Sequence, residues 1–95
     1  MGLKEAYQEK LEAQLKEWSA KINELKAKAD QASADAKIKL YQELDDLKAR
    51  KAAAQEKLNE IKAAGAEKWE SLKAAADKGL EDLKDRWESL KGKFK

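Results

Sequence analysis

Large apolar side chains recur between Tyr7 and Ile61 at steps of mostly three or four residues. They fall at Tyr7, Leu11, Leu15, Trp18, Ile22 and Leu25, and the series continues through the small residues Ala29, Ala32 and Ala36. It resumes at Leu40, Leu44, Leu47, Lys51, Ala54, Leu58 and Ile61. Such steps keep every member on one side of a helix, as in the seam of a coiled coil. Three steps of four between Ala32 and Leu44 form a stutter, which locally unwinds a supercoil. Lys51 is a polar defect in the seam, of the kind that selects register. A second stripe follows Gly65: Trp69, Leu72, Ala76, Leu80, Leu83, Trp87, Leu90 and Phe94. The pattern predicts a single all-α domain over 1–95, with a long coiled-coil helix over 3–63 and a shorter amphipathic helix over 66–94 that returns antiparallel. Gly65 is the expected hinge, in the left-handed position that closes a helix. Gly79, inside the second stripe, costs about 1 kcal/mol against Ala and marks a close helix–helix approach.

The stretch from Ala29 to Ala36 admits two readings. The seam is symmetric about residues 32–33, so that Ile22 pairs with Leu44, Leu25 with Leu40 and Trp18 with Leu47. An antiparallel homodimer of unbroken 3–63 helices crossing near Ala32 meets that pairing, with three-helix packing in each half. A monomeric three-helix bundle with a turn near residues 30–34 meets it equally, and the two are related as a domain swap. The stretch contains no Gly, Asn or Pro, the usual turn residues, so propensity favours the unbroken helix and the dimer.

Composition strengthens the helical reading. The chain lacks Pro, Val and Thr, and Ala, Leu, Glu, Lys, Gln and Arg dominate it, residues that lose little side-chain freedom in a helix. Eighteen of the 95 residues are Ala, which leaves a thin supply of large apolar groups for a lone monomer. Pairs four apart, Glu12/Lys16, Glu17/Lys21 and Glu24/Lys28, each add a few tenths of a kcal/mol to an exposed helical face.

Net charge is +2 with the two signs interleaved, so there is no one-sided basic face for nucleic acid. The absence of cysteine removes disulfide and thiolate chemistry. The opening residues hold no apolar run, so neither a signal peptide nor a membrane span is expected, and Ala6 stands where a myristoylation motif wants Ser or Thr. Four serines are present without any histidine to activate them. The carboxylate neighbours Asp45/Asp46 and Glu56/Glu60 fit a solvated helix face better than a cation site, which needs loop oxygens. No catalytic residue, metal ligand or cofactor site is expected.

The sequence Trp69-Glu70-Ser71-Leu72-Lys73 recurs as Trp87-Glu88-Ser89-Leu90-Lys91. The interval of 18 residues is five helical turns, about 27 Å, so both tryptophans share one face. Lys68, Lys73, Lys84, Arg86 and Lys91 lie toward the edges of that apolar arc, while Glu67, Glu81 and Asp85 sit nearer the opposite pole. A core stripe with lysine stems covering its edges explains this arrangement. A helix lying on a membrane surface uses the same layout.

The succession from Lys10-Leu11-Glu12-Ala13-Gln14-Leu15 through Trp18, Ile22 and Leu25, then Ala34-Asp35-Ala36-Lys37, Tyr41, Lys57-Leu58, Ala64-Gly65 and Trp69-Glu70-Ser71-Leu72-Lys73 resembles a family of small bacterial coiled-coil and stress-response proteins of cyanobacteria and proteobacteria. The resemblance covers roughly residues 5–90, with Trp18, Gly65 and Trp69 as its most specific marks. It implies a bacterial, cytoplasmic, helical and stress-linked protein, and it carries no enzymatic residue. A weaker likeness is to desiccation-protective proteins rich in Ala, Lys and Glu. The expected function is therefore a non-enzymatic structural or interaction protein acting as a homo-oligomer. The alternative is a peripheral lipid-binding protein working through 66–94.

Overall fold

In the computed structural model, which describes residues 2–92, the seam folds back on itself within one chain. Three helices succeed one another: α1 (Leu3–Asp30), α2 (Ala34–Ala63) and α3 (Trp69–Lys91). They run up, down and up in a bundle measuring 50 × 19 × 19 Å. The all-α class and the return of the last helix along α2 follow the sequence pattern. Of the two topologies left open, the chain adopts the three-helix hairpin, so the continuous 3–63 helix is replaced by two helices of nearly equal length.

The break has a physical cause that the turn-residue argument overlooked. Ser33 is extended (φ −62°, ψ 161°), and its hydroxyl accepts from the Ala36 backbone N–H at 3.4 Å, with Asp35 in the first turn of α2. A serine at this N-cap position satisfies an orphan amide and favours the start of a helix without Gly or Pro. Across the bend the Tyr41 hydroxyl donates to Asp30 Oδ1, and Lys26 holds the same carboxyl group at 3.2 Å. These two hydrogen bonds keep Asp30 below the usual carboxylate range.

Gly65 is in the predicted connection but does not close α2 in a left-handed conformation. Neither glycine nor any other described residue has positive φ. The chain turns instead at Ala64, which is extended (φ −79°, ψ 148°), and a Cβ at Gly65 would meet nothing within 4 Å. Lys4 Nζ, at the start of α1, donates to the Ala64 carbonyl at 2.6 Å and to Lys62 O at 3.4 Å. A cation on the last carbonyls of a helix is favourable, and here it fastens α1 to the α2–α3 connection. Residues 66–68 form a turn, so α3 begins at Trp69, three residues later than the pattern predicts. A Cβ on Gly79 would stand 3.9 Å from Ala54 Cβ, which is the expected close approach of α3 to α2.

The core falls into two clusters along the bundle. One joins Tyr7, Leu11 and Leu15 to Ala54, Leu58, Ile61, Trp69 and Ala76. The other joins Trp18, Ile22, Leu25 and Ala29 to Leu44, Leu47, Leu83 and Leu90, with Leu40 and Trp87 against it. The expected partners of Trp18, Ile22 and Leu25 are thus met inside one chain. No polar or charged residue is buried among the described residues.

Candidate functional site

The backbone of α2 runs close to both neighbours, whereas α1 and α3 meet chiefly through long side chains. That third seam is lined by four of the chain's aromatic residues. Tyr7 and Trp69 approach with ring centroids 6.0 Å apart and planes inclined by 39°. Trp18 and Trp87 stand edge-to-face at 6.0 Å and 78°. Both separations lie in the favourable range for aromatic pairs. Lys73 Nζ sits 5.6 Å from the Tyr7 ring centroid and Lys21 Nζ 4.7 Å from that of Trp18, close enough for attraction to the ring quadrupole.

The Tyr7 hydroxyl donates to Asp77 Oδ1 at 2.6 Å and lies 3.3 Å from the Lys73 carbonyl. Burial, then the hydrogen bond to Asp77 and its negative charge, push the phenol's ionisation well above its ordinary value. An open groove of about 420 Å³ adjoins this pair, floored by Tyr7, Trp69 and Leu3. Another, of about 330 Å³, opens beside Trp87 with Leu25 and Leu90 on its floor and Lys21, Glu24, Lys28 and Lys91 at its rim. The amphipathic α3 therefore turns its stripe inward. Trp69, Leu83 and Leu90 are buried, and Leu72, Leu80 and Trp87 are half-buried. Phe94 lies outside the described residues.

On the seam of α1 and α2, Leu11, Leu15, Trp18, Ile22, Leu25, Ala29, Leu44, Leu47, Leu58 and Ile61 are buried as expected. Leu40 and Ala32 are only half-buried, and Ala36 is exposed. All three flank the bend between α1 and α2. Charge pairing also departs from the single-helix expectation. Glu12 pairs with Lys62 of α2 at 2.6 Å rather than with Lys16, a contact that holds its carboxyl group below the usual carboxylate range. Lys21 turns over Trp18, and of the three anticipated pairs Glu24–Lys28 is in place, at 4.0 Å.

Along the α2–α3 interface, Asp46 Oδ2 lies 2.9 Å from Arg50 Nε and 2.9 Å from Arg86 Nε. Arg86 Nε is also 3.3 Å from Glu43 Oε2. Its buried N–H points squarely at neither carboxylate, so the attraction there is one of charge more than of an aimed hydrogen bond. Asp46 is thereby held by guanidinium groups, and Glu60 lies 3.2 Å from Lys57. Among the described residues no group of three or more His, Cys, Asp or Glu side chains is arranged to hold a metal ion. No described helix is long and apolar enough to cross a membrane.

Sequence reasoning missed the Ser33 cap, the Lys4 clasp and the Tyr7–Asp77 bond. Ser33 carried a readable signal, a capping residue two positions before an acidic first-turn residue. The other two join residues about 60 and 70 positions apart, and nothing local announces them. No protein-family model, curated protein or solved structure matches the chain.

Proposed function

We propose that this chain is a non-enzymatic structural or interaction protein, a helical module that associates with copies of itself. On the likeness of its sequence we also assign it to the bacterial cytoplasm, in a stress-linked role. The observation that carries the reading is where the large side chains go. The two clusters absorb the hydrophobic seam, no charged residue is buried with them, and lysines and arginines pair with carboxylates outside them. That is the economy of a scaffold, whose chemistry lies in shape and association.

The lipid-surface reading needs the apolar arc of α3 to face outward, and that arc is the inner face of the bundle. Flotation with phosphatidylserine-containing vesicles at physiological salt tests the choice, with tryptophan emission followed in parallel. The expected result is a chain that stays with the soluble fraction and keeps its emission spectrum. Co-flotation accompanied by a spectral change would overturn the scaffold reading and install a lipid-binding one in which α3 leaves the bundle.

A further inference from the structure

The apolar seam of α1 does not stop where α1 stops. It continues through Ala32 and Ala36 to Leu40, yet in the hairpin Ala32 is half-buried and Ala36 is exposed. The intervening backbone is close to helical. Gln31 remains in the right-handed region (φ −95°, ψ −3°), and Ala32 N–H still bonds Ala29 O at 3.1 Å. Ser33 has a helical φ of −62° and departs through its ψ of 161°. Bringing this short connection fully into the helical range carries the chain from hairpin toward rod.

We propose that the Gln31–Ser33 connection is an exchange hinge and that its partner is a second copy of this chain. Opened, α1 and α2 fuse into a rod of about 90 Å at 1.5 Å per residue. Two such rods cross antiparallel at Ala32. Because the seam is symmetric about that point, Trp18 and Ile22 of one copy join Leu44 and Leu47 of the other in the cluster that the hairpin builds within one chain. Each bundle is rebuilt from α1 of one chain and α2 with α3 of the other. The aromatic seam then becomes composite: one copy supplies Tyr7 and Trp18, the other Trp69 and Trp87. Arg86 lies against Glu43 and Asp46, so Lys91, the last residue of α3, stands roughly level with Leu40 at one residue per 1.5 Å on both helices, and among the described residues the first turn of α2 projects beyond α3.

The core contacts are the same in both forms, so the hinge decides between them. The hairpin side has the Ser33 cap, at a long 3.4 Å, and the exposed Tyr41–Asp30 bond. The rod side gains the helical hydrogen bonds across the bend and covers Ala32 and Ala36 at the twofold axis. The proposal rests on reading the chain as a self-associating module. A strictly monomeric chain would remove the exchange and leave the non-enzymatic reading standing.

Sedimentation equilibrium from micromolar to millimolar concentration, after heating and slow cooling, tests it on three proteins. The native chain should show 10.7 kDa monomer in equilibrium with dimer. Ser33→Ala removes the cap that only the hairpin uses, roughly fivefold per hinge, and should lower the dimer dissociation constant about 25-fold. Ala34→Pro should be monomeric throughout. Residue 34 is the first of α2, where proline is welcome, and Ser33 before it is already extended as a pre-proline residue must be. In the rod, that proline would sit inside a helix. Circular dichroism of Ala34→Pro should show undiminished helicity. Two results would overturn the exchange: dimerisation of Ala34→Pro equal to that of the native chain, or monomer alone for both the native chain and Ser33→Ala.

Discussion

Replacing Tyr7 with Phe isolates one oxygen atom at the junction of α1 and α3. The ring is 8 % exposed and stays packed on Trp69, so the variant keeps its hydrophobic contacts and loses the 2.6 Å bond to Asp77. Asp77 is exposed, and water replaces the phenol as its partner. The loss at neutral pH is therefore that of a single ordinary hydrogen bond, about 1 kcal/mol, or roughly 4–8 °C in Tm for a domain of this size. The alkaline limb is the sharper test. Folding raises the pKa of the Tyr7 phenol, so the folded chain retains a proton that the unfolded chain loses above about pH 10. The stability this contributes is complete below pH 10 and falls as pH rises toward the folded-state value, by at most about 1.4 kcal/mol per pH unit. Tyr41 is common to both proteins and cancels in the difference. Urea unfolding of both chains from pH 7 to 11.5, followed by circular dichroism at about 25 °C, should show native stability exceeding that of Tyr7→Phe at neutral pH. The two curves should then converge above pH 10. Parallel curves across the whole range would refute the buried, hydrogen-bonded phenol.

Other perturbations follow from particular contacts. Gly79→Ala should stabilise the protein by up to about 1 kcal/mol in thermal or urea unfolding, since the new methyl makes an ordinary contact with Ala54; destabilisation would mean the helices cannot accept it. Gly65→Ala should be neutral or raise stability by about 0.4–1 kcal/mol, because no positive φ and no neighbour forbid a side chain there. Ile61→Ala, at a fully enclosed site in the first cluster, should cost about 2–5 kcal/mol in urea unfolding. A loss below 1 kcal/mol there would show that the cluster is loosely packed.

The helices were legible because each carries its own evidence. Leu11, Leu15, Trp18, Ile22 and Leu25 reveal a buried face by spacing alone, and the mirror symmetry of the seam points from the last three to Leu47, Leu44 and Leu40, which lie in or against the same cluster. The bend lacks Gly, Asn and Pro, but a short reversal between helices needs only a capped start, which Ser33 supplies. Gly65 lies in the expected connection, but Ala64 makes the turn. Cross-helix partners stayed hidden for a different cause. The spacing of Glu12 and Lys16 describes one helix, but the choice of Lys62 depends on how two helices are rotated about their axes. Periodicity does not contain that angle. The Tyr7–Asp77 bond requires three helices to be placed at once.

The near-repeat in α3 creates an address problem that the core answers with few hydrogen bonds, since no polar or charged residue is buried among the described residues. Sliding α3 by 18 residues would bring Trp87, Leu90 and Lys91 to the stations of Trp69, Leu72 and Lys73, five turns away. Two places spoil the disguise. Ala76 occupies a site with no exposure at all, and its counterpart in the second repeat is Phe94, too large for a space shaped around a methyl group. Asp77, which receives the Tyr7 proton donor, has Lys95 as its counterpart, a cation that cannot accept it. The bundle thus distinguishes the correct alignment from its closest imitation at two neighbouring positions, one by volume and one by the sign of a charge.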